Sequence, residues 1–198
     1  MNNHRHRILK IGFGLAALLA FIAGPEAAAA RPGLLLHGAR NVQSRTFAKT
    51  APFAPGSSLK VEKTQAKVSV SAWAKNEVAV EAAVEVGDAE PEVVTEFLDN
   101  TALTLEPGAA GLVLRLQSPW DWERGKGTQL RWLGKMIRSG SWKLSYAARI
   151  DIRVPATLNL DLSNSFGDVD VSGVSGRLVL SNESGRVSVV SAGGTLDL

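Results

Sequence analysis

The chain of 198 residues contains no cysteine. This absence excludes disulfide bonds, thiolate metal sites and thiol nucleophiles. The sequence also lacks the G-x-S-x-G elbow, the phosphate-binding loop and the H-E-x-x-H motif, which excludes the usual forms of serine hydrolase, nucleotide-binding protein and zinc protease. No proline follows Pro155, so every residue of the C-terminal part keeps the backbone donor that a stack of strands requires.

The first thirty residues have the pattern of an export signal. Met1–Lys10 is polar and basic, Ile11–Ala23 is an apolar run, and a Gly-Pro break is followed by one glutamate and four alanines. A basic start, a short apolar core and small residues before the cleavage point predict a secretory signal peptide over residues 1–30. The apolar run is shorter than the roughly 20 residues of a membrane-spanning helix. A retained N-terminal anchor stays open as the alternative.

The basic character of the chain is concentrated in this signal. The whole chain has 22 basic and 19 acidic residues, a formal net charge of +3. Residues 1–30 hold three of the basic residues and one of the acidic ones, so the remainder has a net charge of +1. The chain without residues 1–30 therefore has no general excess of basic residues, and we predict no nucleic-acid partner. His37 is the only histidine that remains after cleavage, and no residues with metal-ligand spacing accompany it, so we predict no metal and no cofactor.

An eighteen-residue repeat organises the C-terminal part. Residues 160–177 read LDLSNSFGDVDVSGVSGR, residues 178–195 read LVLSNESGRVSVVSAGGT, and LDL follows. Apolar-x-apolar triplets recur every nine residues within it and alternate between Leu and Val. Side chains alternate along a strand, so each triplet puts two apolar residues on one face. We therefore predict an all-β fold, a single-stranded β-solenoid of the β-helix or β-roll type, with one coil per repeat, identical positions stacked, and Asn164 and Asn182 in a ladder at one corner.

The rest of the chain suggests further elements of the same domain. Weaker triplets between Leu59 and Val80 predict strands of the same style over Leu59–Val86, and a small antiparallel meander stays open there. Apolar residues at helical spacing after Pro91 predict a short helix near residues 91–100. Alternating patterns predict three more strands, at residues 102–106, 112–117 and 148–154.

These patterns predict a domain organisation with a signal, a linker and one repeat domain. The predicted ranges are 1–30 for the signal peptide, 31–45 for the linker, 46–198 for the β-strand repeat domain, 118–142 for a Trp-rich basic insertion and 158–198 for the eighteen-residue repeats. Leu198 falls inside the first strand of a third coil, so we expect a truncated repeat array, with a longer natural chain or a partner strand at the open edge as alternatives. Edge-to-edge self-association through this uncapped coil is also expected.

The segment Ser118–Trp142 has the most unusual composition. It holds four of the five tryptophans of the chain, and its five basic and two acidic residues give it a local charge of +3. Residues 128–138 can form an amphipathic helix. Two interpretations stay open, a lid over the end of the solenoid and an interfacial helix on an anionic membrane. The candidate membrane or partner contacts are Trp120, Trp122, Arg131, Trp132, Lys135, Arg138 and Trp142.

Several short motifs between Phe47 and Val169 together resemble a known family. They are Phe47 with Pro55-Gly56, Leu59-x-Val61, Val68-x-Val70, Ala72-Trp73, Glu77-Val78-x-Val80, Ile150-x-Ile152-x-Val154-Pro155, Leu158-x-Leu160 and Ser165-Phe166-Gly167-Asp168-Val169. This set resembles the putative adhesin family of domain-of-unknown-function β-strand repeat proteins, which includes LiaX- and LiaG-like envelope proteins. The resemblance covers residues 47–198, although the Trp-rich segment departs from the family's pattern. It implies an exported β-solenoid of the cell envelope and offers no catalytic residues.

The sequence as a whole predicts a non-enzymatic, exported envelope protein that acts as an adhesin-like binding or scaffolding module. It would lie in the periplasm, at the outer membrane or outside the cell, and contact a membrane surface, an envelope glycan or a protein. The first alternative is a membrane-surface-associated envelope-stress protein that uses the Trp-rich basic segment. The less favoured alternative is a polysaccharide hydrolase on a β-helix scaffold, because the acids are scattered and such enzymes need a pair of carboxyl groups in a cleft.

Overall fold

A computed structural model describes residues 42–119, 134, 144–190 and 193–198. These residues form twelve strands and one helix. The elements are β1 (Gln43–Pro52), β2 (Ser58–Gln65), β3 (Lys67–Trp73), β4 (Glu77–Gly87), α1 (Pro91–Asp99), β5 (Ala102–Gly108), β6 (Gly111–Gln117), β7 (Ser145–Pro155), β8 (Asn159–Phe166), β9 (Val169–Ser172), β10 (Leu178–Asn182), β11 (Val187–Val190) and β12 (Leu196–Asp197).

The strands form two six-stranded sheets. Sheet A has the order β1-β4-β7-β3-β9-β11, and sheet B has the order β12-β10-β8-β2-β6-β5. Both sheets mix parallel and antiparallel neighbours. In sheet A, β4 runs antiparallel to β1 and β7, whereas β7, β3, β9 and β11 are parallel. In sheet B, β5 runs antiparallel to β6, and the other five strands are parallel.

The prediction of a single-stranded β-solenoid is wrong, although the all-β class is confirmed. A solenoid winds forward one coil at a time, whereas here β3 lies between β7 and β9, and β2 lies between β6 and β8. The cause is visible in β4, whose apolar alternation continues from Val78 to Val86 and makes a strand of 11 residues. Its antiparallel partners, β1 and β7, have 10 and 11 residues. These long strands do not fit a coil built from strands of four or five residues.

The register of the C-terminal repeats follows the eighteen-residue spacing. Leu178 of β10 pairs with Leu160 of β8 and with Leu196 of β12, so equivalent positions are direct neighbours. The valine strands behave in the same way, with Val187 of β11 opposite Val169 of β9. The leucine triplets therefore line sheet B and the valine triplets line sheet A. This part of the sequence-based expectation is confirmed.

The core lies between the two sheets and is closed by the helix. Val68, Ile152 and Leu160 are among its fully buried side chains. Helix α1 begins with Pro91, whose missing donor suits the first turn, and buries Phe97 against the Tyr146 ring at a centroid distance of 5.6 Å. It joins the end of β4 in sheet A to the start of β5 in sheet B, so it covers the core at one end.

The predicted asparagine ladder stands at a corner between the sheets. The Nδ2 of Asn164 lies 3.1 Å from the Oδ1 of Asn182, and Asn164 is 1% exposed. The same corner contains Gly167 and Gly185 with φ of 112° and 124°, in the left-handed region that favours glycine. A Cβ on Gly185 would collide with the carbonyl oxygen of Gly167. Stacking of the repeats therefore requires glycine at this corner.

Other predicted elements agree with the structure to different degrees. The helix near residues 91–100 and the strands at 102–106, 112–117 and 148–154 are confirmed. The meander alternative is wrong, because β2 and β3 belong to different sheets. The predicted linker ends inside a strand, since β1 starts at Gln43. The amphipathic helix at 128–138 and the signal peptide lie outside the described residues. Among the described residues, no helix is long and apolar enough to cross a membrane.

Candidate binding face

The seven contact residues predicted from the sequence all belong to the segment Ser118–Trp142. All of them lie outside the described residues: Trp120, Trp122, Arg131, Trp132, Lys135, Arg138 and Trp142. The structure does place the residues that flank this segment, because β6 ends at Gln117 and β7 begins at Ser145.

Both flanking residues lie at one end of the two sheets. Ser145 is opposite Gly87 in the β4–β7 pair, and Gly87 also lies against Val42, the first described residue of the chain. In sheet B, Gln117 is opposite Ala102, which follows α1 closely. Arg45 of β1 joins the two sides, since it donates hydrogen bonds to Leu98 O (2.7 Å) and Asp99 Oδ1 (2.8 Å) at the end of that helix. We call this the attachment end, defined by Val42, Gly87, Gln117 and Ser145.

The outer face of sheet A carries mostly short side chains. The register aligns Thr50, Ala79, Arg153, Ser71 and Ser172 in one row across β1, β4, β7, β3 and β9. On β4, β7, β3 and β9 the residue next to the row along the strand is buried in the core, so this row faces outward. Six strands at about 4.8 Å spacing make a face roughly 24 Å wide. Such a surface is flat and offers hydroxyl groups rather than a deep cavity.

One aromatic side chain stands at the end of this face, opposite the attachment end. Trp73 ends β3, and its Nε1–H donates a hydrogen bond of 2.8 Å to the backbone oxygen of Glu77. Two cations contact its ring. The Nζ of Lys75 is 4.9 Å from the ring centroid, and the Cζ of Arg153 is 5.2 Å from it. We call Trp73, Lys75 and Arg153 the tryptophan cluster.

Arg153 differs from the other arginines that the structure describes. Five of the six have a carboxylate oxygen within 4.0 Å, and these five are Arg45, Arg115, Arg149, Arg177 and Arg186. Arg153 has no such partner among the described residues, and its side chain is exposed. Lys75 is partly neutralised, since its Nζ lies 3.4 Å from Glu77 Oε1. Lys75, Arg153 and Glu77 together have a charge of +1, and Asp151 and Glu81 lie one row further along the same face.

The outer face of sheet B is instead an array of matched charges. The Nη2 of Arg115 lies 2.8 Å from Glu62 Oε1, and its Nη1 lies 3.4 Å from Glu106 Oε2. The hydrogen bond to Glu62 raises the pKa of Arg115 above its ordinary value. On sheet A, the hydrogen bond to Asp151 likewise raises the pKa of Arg149. Both arginines are therefore charged near neutral pH, and each already has a carboxylate partner.

Two shallow pockets open on sheet B. One of about 320 Å³ is lined by Thr104, Glu106, Arg115 and Gln117. The other, of about 440 Å³, is lined by Ser58, Asn159, Leu160, Asp161, Arg177 and Val179. The arginine of each pocket is engaged by a carboxylate. Within the described part of the chain, no three histidine or acidic side chains are grouped closely enough to hold a metal ion.

The tryptophan cluster was missed at the level of the sequence. Alternation along β3 puts Trp73 on the same face as Lys67, Ser69 and Ser71, which is a signal that an aromatic residue stands on a polar face. The position of Arg153 carried no such signal, because it depends on the pairing of β3 with β7.

Solved structures of low sequence identity resemble this chain. The chain matches no protein-family model and no curated protein sequence. Similar solved structures include one described as a putative cell adhesion protein from Clostridium sporogenes, with 10% identity, 78% of this chain and 98% of that chain covered, and a TM-score of 0.35. A putative adhesin from Bacteroides fragilis has 10% identity, 78% and 62% coverage, and a TM-score of 0.28. A putative lipid binding protein from Parabacteroides distasonis has 14% identity, 79% and 68% coverage, and a TM-score of 0.31. At these values the function of this chain has to be argued from its own residues.

Proposed function

We propose that this chain is an exported, non-enzymatic binding module of the cell envelope and that it binds its partner with the outer face of sheet A. The signal-like N-terminus supports export. The resemblance to envelope β-strand repeat proteins supports the location, periplasmic, at the outer membrane or extracellular. The partner is an envelope glycan or a protein.

The tryptophan cluster is the observation that carries this proposal. Trp and Arg, together with Tyr, are the residues most enriched among the side chains that dominate binding energies. Trp73 and Arg153 stand on β3 and β7, the two central strands of sheet A. The short side chains around them let a partner approach closely, and the flat shape suits an extended or macromolecular partner better than a small molecule.

The test is co-sedimentation of the chain, without residues 1–30, with purified insoluble envelope polysaccharide. Trp73→Ala should reduce the bound fraction severalfold. Phe166→Ala is the matched control, because Phe166 is an exposed aromatic (59%) at the end of β8, away from the cluster. Equal binding by both variants and the parent chain would refute the use of this face. The release of new reducing ends during the incubation would refute the non-enzymatic assignment.

A second candidate function is association with a membrane surface through the Trp-rich segment 118–142. The observation that favours it is the placement of Gln117 and Ser145 at the attachment end, beside Val42. Gln117 and Ser145 are therefore the described residues that flank the Trp-rich segment, and both belong to the attachment end. The test is co-sedimentation with anionic vesicles of the chain without residues 1–30 and of a version that also lacks residues 118–142. Equal sedimentation of the two would remove this function.

A further inference from the structure

We propose that the tryptophan cluster is a subsite for the carboxylate of an acidic polysaccharide, with Arg153 as the principal ligand. This inference rests on the proposed binding face and names the chemistry that the face recognises. It does not follow from the overall charge of the chain, which is close to neutral once residues 1–30 are set aside.

The first argument is that the guanidinium of Arg153 has no carboxylate partner among the described residues. A guanidinium presents donors in a planar fork that matches the two oxygens of a carboxylate. Elsewhere in the described chain each arginine already has a carboxylate oxygen within 4.0 Å. Arg153 has none and is exposed on the face. Its row neighbours Ala79 and Ser71 are short, so an incoming carboxylate meets no steric barrier from them.

The second argument is that Trp73 holds the two cations in place. Its indole is fixed by the hydrogen bond to Glu77 O at 2.8 Å. Lys75 and Arg153 rest against this ring at 4.9 and 5.2 Å, within the ~6 Å at which cation–π attraction acts. A ligand therefore meets side chains that have already lost part of their rotamer freedom, which reduces the entropic cost of binding.

The third argument concerns the kind of molecule that carries the carboxylate. The single guanidinium fork of Arg153 suits a monoanionic carboxylate better than a phosphate dianion, which binds best where several N–H donors converge. Hydroxyls of Thr50, Ser71 and Ser172 lie in the row of Arg153 and suit a hydroxylated ligand. One exposed ion pair is weak by itself. A polymer that repeats the same group compensates by rebinding from many positions.

The test measures binding of the chain, without residues 1–30, to immobilised polygalacturonate, with dextran as the neutral polymer. Arg153→Gln should weaken binding by about tenfold or more, since one charge-assisted bidentate contact is lost. Arg153→Lys should retain part of the affinity because it keeps the charge and loses the fork. Arg186→Gln is the matched control, as Arg186 is exposed and its carboxylate partner Asp168 is 3.9 Å away. It should change binding by less than about twofold. Unchanged circular dichroism and thermal midpoint would show that Arg153→Gln is folded.

The outcomes separate this inference from the proposed function. Loss of polygalacturonate binding in Arg153→Gln alone supports the subsite. Equal losses in Arg153→Gln and Arg186→Gln, or equal binding to dextran, overturn it. Stronger binding to polyphosphate than to polygalacturonate overturns the choice of a carboxylate. If the chain binds envelope polysaccharide through Trp73 but does not bind polygalacturonate, the subsite falls and the binding face stands. If Trp73→Ala and Arg153→Gln bind both polymers as the parent chain does, the binding face and the subsite fall together.

Discussion

Replacement of Asn164 by alanine should destabilise the fold far more than the same change at Asn182, which occupies the same position in the next repeat. Asn164 is 1% exposed. Its Oδ1 accepts the backbone N–H of Ala66 at 3.3 Å, and its Nδ2 donates to Ala66 O at 3.1 Å. Alanine at position 164 would leave the backbone N–H and C=O of Ala66 without these partners. Both groups are buried, because Ala66 is only 3% exposed.

The magnitude follows from these contacts. Each buried backbone group that loses its partner costs about 1–3 kcal/mol, and two such groups give an expected loss of about 3 kcal/mol in the free energy of unfolding once partial relaxation is allowed. Asn182 is half-buried. Its Nδ2 donates to Gly167 O at 3.1 Å, an acceptor that Asn164 also reaches at 3.2 Å. Asn182→Ala therefore leaves no buried group alone and should cost about 1 kcal/mol or less.

The assay is urea unfolding followed by circular dichroism, with the two single variants and the double variant. The two asparagines contact each other at 3.1 Å, so their effects should not add, and a coupling of at least about 0.5 kcal/mol is expected. Equal losses for the two single variants would refute the argument, because it attributes the difference to the backbone of Ala66. A loss below about 1 kcal/mol for Asn164→Ala would refute the assumption that the corner excludes water.

Three further predictions concern the core, the sheet register and pH. In urea unfolding, Leu160→Ala should lower the free energy of unfolding by about 3 kcal/mol and Leu196→Ala by less than about 1 kcal/mol, since these equivalent repeat positions are 1% and 43% exposed. Similar losses would contradict the difference in burial between the two positions. Gly87→Cys combined with Ser145→Cys should form a disulfide on mild oxidation, because the two residues are antiparallel partners and a Cβ added to Gly87 would lie 3.2 Å from Ser145 Oγ. The disulfide would increase the mobility in a non-reducing gel, and a chain that remains reduced would contradict the β4–β7 register. Arg115→Met should lower the urea midpoint equally at about pH 6 and pH 9. The pKa of Arg115 is raised in the folded state, so its contribution to stability is fully present below the unfolded-state pKa and is lost only in strong alkali. A difference between the two pH values in the loss of midpoint would contradict this.

The register of the repeats could be predicted because it is written in the sequence as self-similarity. Leu160 and Leu178 share a position in two copies of one unit, and parallel stacking is the arrangement that pairs identical positions. The asparagine ladder and the corner glycines follow from the same alignment. Alternation also gave the correct inward faces for β2 and β3, since it depends only on the geometry of a single strand.

The topology of sheet A could not be predicted in this way. Alternation from Val78 to Val86 indicates which side chains are buried, but it is the same in either chain direction and names no partner strand. The antiparallel pairing of β4 with β7 joins residues 58 positions apart at Gly87 and Ser145 and 74 positions apart at Ala79 and Arg153. The same reason hid the tryptophan cluster, because Arg153 reaches Trp73 only through the pairing of β7 with β3. Local patterns therefore determined the faces and the repeats, and non-local pairing determined the order of the strands.

The two proposed contact regions are far enough apart to act independently. Along β7, Arg153 lies eight residues beyond Ser145, which is roughly 26 Å at the rise of an extended strand. The tryptophan cluster and the attachment end are therefore at opposite ends of sheet A. Removal of residues 118–142 should leave the Arg153-dependent affinity for polygalacturonate unchanged, and Arg153→Gln should leave vesicle binding unchanged. If one change altered both affinities, the two regions would not be separate, and the assignment of lipid contact to one end and polysaccharide contact to the other would be wrong.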